Sequence, residues 1–406
     1  MKQIEVRLQF AADHVLHVGR LAETGRHLYF EYDPAFVARG LQISPFKLAL
    51  QPGVIEHRDR AFGPLPGVFD DSLPDGWGRL LMDRHFRRQG LDPERVSALD
   101  RLTWLGTRSL GALTYHPPLD AAGAGAEPLD LRLLLRHAGE VLAGEAREVL
   151  PQLLRVGGSP AGAHPKVLVG LRGDQVLSGA DELPDGFRHW LVKFAARGEL
   201  ADAGPIEHAY SQMATAAGID LPPTRLITLS ARRRCFAVQR FDRLPGGRRL
   251  HLHSLANLLH ADFRVPSLDY ADLFRATQVL TRNHGDLLRA FRRMLFNIAA
   301  HNRDDHGKNF AFLMDADGRW ALSPAYDVVF SHGPGGEHST TVAGEGRAPT
   351  IAHAETLARQ HGLRPRELAT MREAVNAAIA RWPEFADTSG CSAKAAREVA
   401  AHLRLL

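Results

Sequence analysis

The sequence contains little of what marks secreted or membrane-spanning proteins. Among its 406 residues there are only two cysteines, Cys235 and Cys391, which is too few for a disulfide framework and fits a reducing cytosol. No apolar stretch reaches membrane-spanning length, and residues 1–6 lack the apolar region of a secretory signal. We therefore predict a cytoplasmic protein with no membrane partner.

The sequence also has no strong charge, no repeats and no metal-binding histidine pattern. The formal net charge of +4 is small for this length, so it permits contact with an acidic partner or nucleic acid without predicting one. The 21 histidines show no spacing such as His-Glu-x-x-His, and no segment recurs at a fixed period. The length of 406 residues allows two or three domains, and an apolar content of 45% and a charged content of 24% are ordinary for a globular protein.

The most informative segment is residues 302–309, which read Asn-Arg-Asp-Asp-His-Gly-Lys-Asn. An Asp with an Asn five positions later is the spacing of a protein-kinase catalytic loop, in which the Asp accepts the substrate hydroxyl proton and the Asn holds Mg²⁺. A second Asp, Asp327, follows a strand-like run, where kinases keep their other Mg²⁺ ligand. The spacing predicts Asp304 as the base and Asn309 and Asp327 as metal ligands.

Two segments upstream could supply a site for ATP. Residues 155–166 are rich in glycine and other small residues, which let backbone N–H groups approach a phosphate closely. Lys166 ends this segment, but it has no Gly before it and no Ser or Thr after it, so the segment is not a Walker A loop. Lys193 lies in a strand pattern over 190–194, as does the kinase Lys that contacts the α- and β-phosphates.

The rest of the chain alternates between strand and helix patterns. We predict short strands over 3–60, helices over about 70–110, a Pro/Ala/Gly-rich linker over 116–128 and a helix over 129–146. Strands follow over about 155–194 and 225–240, with a helix over 205–217 between them, and the chain from 250 onward is mostly helical except for strands around 310–323.

These patterns together predict an α+β protein. The fold would be two-lobed and kinase-like, with a β-rich N-terminal subdomain and a mainly helical C-terminal lobe. The predicted domains are a β-rich subdomain with helices over 1–118, a nucleotide-binding lobe over 119–245 and a helical catalytic lobe over 246–406.

Several of these segments carry a resemblance that spans nearly the whole chain. The matching pieces are residues 71–76 (Asp-Ser-Leu-Pro-Asp-Gly), 157–166, 190–194, 240–243 (Arg-Phe-Asp-Arg), 302–309 and 323–327 (Ser-Pro-Ala-Tyr-Asp). With them, the sequence resembles the HipA family of serine/threonine kinases, the toxin halves of bacterial toxin–antitoxin pairs. The combination of the last two segments is the most specific part of the match.

The resemblance implies roles for individual residues. Asp304 would be the catalytic base, Asn309 and Asp327 would bind Mg²⁺, Lys193 would contact the ATP phosphates, and His306 would support the catalytic loop. Ser159 would also be an autophosphorylation site. The implied phosphate loop contains Ser159, Ala161, Gly162, Ala163, His164 and Lys166. The implied hinge that meets the adenine consists of Gln239, Arg240 and Phe241.

The resemblance also implies cofactors and partners. The cofactors would be ATP and Mg²⁺. The substrate would be a translation component, notably an aminoacyl-tRNA synthetase. The partner would be a small helix-turn-helix antitoxin, similar to HipB, through which the toxin meets operator DNA.

Other interpretations of the same residues stay open at this point. Asp304, Asp305 and His306 could form a polar turn between a helix ending near residue 300 and a strand at residue 309. With His301 they could instead form the site of an HD-type metal phosphohydrolase, although such sites require an all-helical scaffold and more ligands. A third possibility is a catalytically weak corepressor that acts through an antitoxin on DNA.

Some residues outside the loop also have simpler explanations. Lys193 could be a strand Lys whose ammonium group reaches solvent, and Ser159 could be an ordinary loop serine. Arg240 and Arg243 could simply be solvated. His251 and His253 alternate with leucines, which favours an exposed strand edge. Glu207 could pair with Lys193 or stabilise the start of a helix.

Overall fold

The computed structural model describes most of the chain. The described residues are 1–25, 27–119, 125–146, 149, 151–157, 162, 164–179, 182–195, 202–230 and 233–406. The chain forms two compact units. Unit 1 comprises Met1–Glu199, Ala237–His253 and Met314–Gly318, and unit 2 comprises Leu200–Phe236, Ser254–Leu313 and Arg319–Leu406. The domain boundaries expected at residues 118 and 245 stay predictions.

Unit 1 begins with an antiparallel sheet in the strand order β4-β3-β2-β1-β5. Its strands are β1 Lys2–Gln9, β2 Val15–Thr24, β3 His27–Tyr32, β4 Val54–Glu56 and β5 Leu113–His116. Alternate residues of β1, namely Ile4, Val6 and Leu8, are at most 3% exposed, because successive side chains of a strand point to opposite faces. The short strands expected in this region are confirmed.

The helices of unit 1 flank and follow this sheet. They are α1 Pro34–Arg39, α2 Gly67–Asp70, α3 Gly76–Arg88, α4 Ala98–Leu105, α5 Leu131–Leu142 and α6 Pro151–Gly157. A capping box starts α4, in which Ser97 and Asp100 each accept the other's backbone N–H. The helix expected over 129–146 is α5, and Asp130 caps its N-terminus.

A second sheet has the strand order β7-β6-β8-β10-β9. Its strands are β6 Lys166–Arg172, β7 Gln175–Ser178, β8 Arg188–Lys193, β9 Thr224–Ser230 and β10 Arg233–Gln239. Strand β6 is apolar and buried over residues 167–171, as expected for a central strand. It pairs antiparallel with β8 in a register that sets Lys166 opposite Lys193.

The strands expected from residue 155 onward begin later than predicted. Residues 151–157 form helix α6, so the strand prediction is wrong for 155–157. Pro151 suits the first turn of a helix, and Leu153, Val156 and Gly157 are buried at the spacing of one helical face.

Unit 2 is mainly helical, as predicted. Its helices are α7 Ala203–Ala216, α8 Leu255–Leu259, α9 Tyr270–Thr281, α10 His284–Ala299, α11 Ile351–Gln360, α12 Pro365–Ala380, α13 Trp382–Thr388 and α14 Ala393–Ala400. Helix α10 lies at the centre of the core, since most of its residues are buried. The ring of Phe291 stacks on Phe274 of α9 with 3.7 Å between centroids.

Short strands complete the structure. They are β11 His251–Ser254, β12 Leu268–Asp269, β13 Ala311–Met314, β14 Trp320–Leu322 and β15 Thr340–Thr341. They form a three-stranded sheet in the order β11-β13-β14 and a parallel pair of β12 and β15. The strands expected around 310–323 are therefore confirmed, and so is the α+β class. Among the described residues, no helix is long and apolar enough to span a membrane.

Candidate functional site

The predicted catalytic loop connects helix α10 to strand β13 in unit 2. The helix ends at Ala299, and His301 takes a left-handed conformation with φ of 53°, which turns the chain out of the helix. Asn302 then forms a parallel bridge with Ser331, and residues 307–309 form one turn of 3₁₀ helix before β13. The loop thus lies where the polar-turn interpretation also placed it, although the following strand begins at residue 311.

Asp304 is the exposed acid of this loop. Its side chain is 54% exposed, so a substrate hydroxyl could reach it. The Asn309 Nδ2 group donates a hydrogen bond to the Asp304 carbonyl over 2.7 Å, and the Asn309 backbone N–H donates to the His306 carbonyl over 2.8 Å. The two residues that the kinase spacing singled out are therefore directly linked.

Asp305, the next residue, is the buried acid of the loop, with 1% exposure. Its Oδ2 accepts hydrogen bonds from the Tyr270 hydroxyl over 2.8 Å and contacts His338 Nδ1 at 2.9 Å. Its Oδ1 accepts from the backbone N–H groups of Ser339 at 2.9 Å and Thr340 at 3.3 Å. Burial, together with the charge of Asp305, raises the pKa of Tyr270 well above its usual value, so Tyr270 stays a donor.

Sequence reasoning assigned Asp305 no role in the kinase interpretation. Its burial could not be deduced from the loop itself, since its partners come from residues more than 30 positions away on either side. The one local signal was the pair of adjacent acids, Asp304 and Asp305. Two adjacent side chains of an extended loop point to opposite sides, so one of the two is expected to face the protein interior. The structure shows that Asp305 anchors the loop that presents Asp304.

His306 lies beside Asp304 without bonding to it. Its Nε2 is 4.0 Å from Asp304 Oδ1, which is beyond hydrogen-bond length. Its ring packs against Phe263 at 5.3 Å between centroids, and the Lys308 ammonium lies 4.6 Å from the centre of that same Phe263 ring. The supporting role suggested for His306 stays a prediction.

Asp327 has an unusual backbone conformation. Its φ of 51° is in the left-handed region that few residues other than glycine adopt, and such strain concentrates at functional sites. Asp327 also lines a pocket in unit 2 together with the loop. The pocket residues with polar side chains are Arg293, Asn297, Asn302, Asp305, Asn309, Tyr326 and Asp327. The two predicted metal ligands, Asn309 and Asp327, thus share one pocket.

The chemistry of this pocket fits a magnesium ion. Carboxylate and amide oxygens are ligands that Mg²⁺ accepts, and the pocket also contains the buried Oδ1 of Asn302, which has no hydrogen-bond partner among the described residues. No group of three His, Cys, Asp or Glu residues in the described ranges could hold a metal by itself. This suits Mg²⁺, which proteins usually bind through one or two carboxylates together with substrate phosphates.

His301 does not join Asp304 and Asp305 in the way that a phosphohydrolase would need. Its ring lies in a cluster with those of Phe330, His332 and His402, with centroids 5.0–5.7 Å from its own. Burial and the nearby charge of Arg303 lower the pKa of His301 to about 4, so it is neutral at physiological pH. The geometry therefore gives the phosphohydrolase interpretation no support.

Unit 1 contains the residues predicted to meet the nucleotide. Lys166 and Lys193 are direct partners across β6 and β8, so their side chains leave the same face of the sheet. Lys166 is buried and Lys193 is half-buried. Lysine ammonium groups commonly bind phosphate as point charges, and the suggested phosphate role of Lys193 and Lys166 stays a prediction.

The glycine-rich segment is held in unit 1 through Gly162, whose φ is 102°. The Asp75 carboxylate accepts the Gly162 backbone N–H, and the Trp77 backbone N–H donates to the Gly162 carbonyl over 3.0 Å. The Trp77 indole N–H also donates to the Lys166 carbonyl over 3.1 Å. A side chain at position 162 would collide with the Lys166 ammonium. These contacts explain why the segment contains glycine at this position.

The other residues assigned to the phosphate loop are only partly within the described chain. His164 is exposed. Ser159, Ala161 and Ala163 lie outside the described residues, so their suggested roles, including autophosphorylation of Ser159, stay predictions.

The suggested adenine hinge lies at the end of β10. The Arg240 backbone N–H donates to the His189 carbonyl over 2.8 Å, and its guanidinium group donates to Asp242 over 2.6 and 2.9 Å. The roles of Gln239, Arg240 and Phe241 toward adenine stay predictions. The suggestion that Arg240 and Arg243 are merely solvated is wrong, because both bind the buried Asp242.

Asp242 is the centre of a buried ion cluster. Burial alone would raise its pKa, but the charges of Arg240 and Arg243 hold the pKa of Asp242 well below its usual value. Its Oδ2 also accepts the Gly111 backbone N–H over 2.8 Å, and Arg243 donates to the Ser109 and Gly111 carbonyls over 2.9 and 2.6 Å. The cluster fixes the chain at the end of β10, where the suggested hinge lies.

The expected exposure of His251 and His253 is also wrong, since both are fully buried. His253 Nδ1 lies 2.6 Å from Asp71 Oδ2, and its Nε2 lies 3.0 Å from the Ser44 hydroxyl. His251 Nε2 contacts the Ile43 carbonyl at 2.9 Å. Strand alternation identifies residues that share a face, but it does not tell which face is buried.

Comparison with known proteins places this chain in a family. The model of the HipA-like C-terminal domain matches residues 158–382, and the model of the HipA N-terminal domain matches residues 13–116. A curated relative, the putative kinase Y4dM of Sinorhizobium fredii, is 28% identical over 280 residues. That match covers 65% of this chain and 62% of the relative, so the chain spans about three fifths of the relative's length.

One solved structure shows the same fold as this chain. HipA from Shewanella oneidensis, in a complex described as a toxin–antitoxin system of HipA, HipB and operator DNA, matches with a TM-score of 0.71 at 16% identity. The match covers 98% of this chain and 94% of that one. The kinase CtkA of Helicobacter pylori matches 59% of this chain at 12% identity, but its TM-score of 0.38 is too low to support an argument. The family models cover most of the sequence, and the chain belongs to the HipA family.

Proposed function

We propose that this protein is an ATP- and Mg²⁺-dependent protein serine/threonine kinase that acts as the toxin of a toxin–antitoxin pair. The observation that carries the proposal is the arrangement in unit 2, where an exposed Asp304 is bonded to Asn309 and Asn309 shares a pocket with Asp327. Family membership and the relative described as a putative kinase support the same chemistry.

In this reaction Asp304 would accept the proton of a substrate hydroxyl as the oxygen attacks the γ-phosphorus of ATP. The bond from the γ-phosphorus to the bridging oxygen would break, and ADP would leave. Asp305 would contribute indirectly, because its buried hydrogen bonds hold the backbone that presents Asp304. Most of the catalytic effect would therefore come from positioning and charge, as is usual in phosphoryl transfer.

Asn309 and Asp327 would hold magnesium, with the Asn302 amide oxygen close by in the same pocket. When bound, the ion would neutralise charge on the phosphates. Lys166 and Lys193 of unit 1 would bind the phosphates by charge, and Asp75 and Trp77 would fix Gly162 next to Lys166.

The proposed partner is a small helix-turn-helix antitoxin similar to HipB, through which the protein would meet operator DNA. The support is the related toxin, which was solved with HipB and its operator DNA. The proposed protein substrate is a component of translation, such as an aminoacyl-tRNA synthetase. This substrate class is what the resemblance to HipA kinases implies, and phosphoproteomics would test it.

The test of the proposal is a phosphoproteome measured after induction of the protein. Cells expressing the native chain should accumulate phosphoserine or phosphothreonine on a small set of proteins, and cells expressing Asp304→Asn should not. Asp387→Asn changes another exposed Asp of unit 2 and serves as the matched control. Equal phosphorylation with and without Asp304 would contradict the proposal. Growth arrest and operator repression that survive Asp304→Asn would instead support the corepressor interpretation.

A further inference from the structure

One face of helix α10 carries polar residues where a core helix would normally be apolar. Asp286, Arg289, Arg293 and Asn297 follow each other at intervals of three or four positions, which places them on one face of the helix. Asp286, Arg293 and Asn297 are each 4% exposed. Buried polar groups of this kind need partners inside the protein, and those partners indicate what the face does.

The first three residues of this face hold the backbone at the end of strand β14. The Asp286 Oδ2 accepts the Leu322 backbone N–H over 3.0 Å, and Arg289 Nη1 donates to the Leu322 carbonyl over 3.2 Å. Arg293 Nη2 donates to the carbonyl of the next residue, Ser323. Ser323 begins the segment that ends at Asp327, so α10 fixes the point from which this segment starts.

The fourth residue holds the catalytic loop. The Asn297 side-chain oxygen accepts from Asn302 Nδ2, and the Asn297 carbonyl accepts the Asn302 backbone N–H, each over 3.0 Å. Asn297 Nδ2 also donates over 2.8 Å to the hydroxyl of Tyr270, which in turn donates to Asp305. One helix face therefore sets the position of both segments that carry predicted metal ligands.

Arg293 has one further donor that the backbone contacts do not use. Its Nη1 is buried and has no hydrogen-bond partner in the part of the chain that the structure describes. Arg293 lines the same pocket as Asn309 and Asp327. Burial and the neighbouring charge of Arg289 lower the pKa of Arg293 to about 10, so the guanidinium is still charged at neutral pH. A buried cation of this kind favours a nearby carboxylate or phosphate.

We propose that Arg293 is a positioning residue for Asp327, holding the Ser323 carbonyl with one nitrogen and orienting the Asp327 carboxylate with the other when the pocket contains Mg²⁺ and nucleotide. This inference rests on the proposed kinase function. It adds a residue that the sequence patterns did not identify, because α10 lies outside every kinase-like motif of the chain.

The test compares Arg293→Met and Arg293→Lys with Arg292→Met. Arg292 is the neighbouring arginine of α10, and its guanidinium donates over 2.7 Å to the Gly218 carbonyl, outside the pocket. The readout is the affinity for a non-hydrolysable ATP analogue, measured by calorimetry at increasing Mg²⁺ and again in EDTA. Thermal unfolding of each variant shows whether the fold is kept.

We expect Arg293→Met to raise the Mg²⁺ concentration needed for tight binding of the ATP analogue by about tenfold, because one charge-assisted hydrogen bond is lost. The affinity for the analogue in EDTA should be unchanged. Arg293→Lys keeps the charge but not the two-nitrogen geometry and should give a smaller shift, and Arg292→Met should behave as the native protein. If Arg293→Met does not fold, the change in Mg²⁺ dependence measured for Arg293→Lys tests the positioning role.

Two different failures can be told apart. If the native protein shows Mg²⁺-dependent nucleotide binding and both Arg293 variants match it, the positioning role is wrong and the kinase proposal stands. If the native protein binds no nucleotide at any Mg²⁺ concentration, the proposed function fails and this inference falls with it. Equal losses with and without Mg²⁺ would also overturn the positioning role, since they would indicate a purely structural one.

Discussion

In unit 2 the loop carrying Asp304 is tied down by the buried carboxylate of Asp305, whereas in unit 1 the glycine-rich segment is tied through Gly162 to the half-buried Asp75. Asp305 has four hydrogen-bond partners drawn from other elements. Gly162 is held by two contacts of its backbone: its N–H donates to the Asp75 carboxylate, and its carbonyl accepts the Trp77 backbone N–H.

This difference suggests how each region is built for its task. The atoms of a phosphoryl-transfer site must be held within a fraction of an ångström, and a buried, fully hydrogen-bonded carboxylate can hold them so. Removing such a carboxylate destabilises the fold strongly, because its buried partners lose their hydrogen bonds. We therefore expect changes in the unit 2 site to affect both fold and catalysis, and changes at the unit 1 contacts to affect mainly nucleotide affinity.

The largest effect is expected for Asp305→Ala. The change would strand the buried donors of Tyr270, His338 and Ser339, and losing one partner of such a buried network costs about 3–5 kcal/mol. Urea unfolding should show this loss, and phosphoryl transfer should fall below detection. The matched control is the neighbouring Asp304→Ala, which removes an exposed carboxylate and should change stability by only about 0.5 kcal/mol. Equal stability of the two variants would contradict the structural role given to Asp305.

The next largest effect is expected for Asp327→Asn. Asn tolerates the left-handed backbone at this position, so the fold should be kept, but the metal loses a charged ligand. We expect the affinity for a Mg²⁺–nucleotide analogue to fall about tenfold or more, and turnover to fall with it. Calorimetry with and without Mg²⁺ measures this change. An unchanged Mg²⁺ dependence would remove Asp327 from the metal site.

A smaller effect, on control of the enzyme, is expected at Ser159. Phosphorylation would add a charge of about −1.5 to −2 to a segment whose end, at Lys166, is expected to bind the nucleotide's phosphates. We predict that the native protein gains one phosphate on Ser159 when incubated with Mg²⁺ and ATP, and that the modified form binds ATP more weakly. Intact mass, peptide mapping and ATP affinity of the modified form test this, with Ser159→Ala as control. An active enzyme with unmodified Ser159 would exclude the switch.

The smallest effect is expected for Asp75→Ala in unit 1. Loss of the carboxylate that accepts the Gly162 N–H should lower nucleotide affinity by about tenfold or less with little change in the unfolding transition. Asp130→Ala removes another carboxylate of unit 1 that accepts a backbone N–H, that of Arg132 over 2.8 Å, and should leave nucleotide affinity unchanged. A large loss of stability for Asp75→Ala would contradict the contrast between the two regions.

The local spacing of the candidate catalytic loop could be found in the sequence, whereas the framework that holds the loop could not. The spacing of Asp304 and Asn309 is local, so it could be found directly, and the structure links the two residues by a hydrogen bond. The partners of Asp305, and the contacts between α10 and residues 322–323, are 30 or more positions apart. No pattern within a short window contains that information.

Two wrong predictions have related causes. His253 was expected on an exposed edge, but it is buried because Asp71, 182 positions away, supplies a partner for its ring. Residues 155–157 were expected in strands, whereas the apolar spacing of Leu153 and Val156 fits the helix that forms. In both cases a long-range contact or the helical period outweighed local composition.

The most direct test of the account is a paired measurement on purified Asp304→Asn. Calorimetry with Mg²⁺ and a non-hydrolysable ATP analogue measures nucleotide binding, and transfer of radiolabel from the γ-phosphate of ATP to protein measures catalysis. We predict native affinity, because Asp304 is expected to meet the hydroxyl and not the nucleotide. We predict that transfer falls by about 10²–10⁴-fold, the usual contribution of a general base. Transfer at near the native rate would contradict the assignment of Asp304 as the catalytic base.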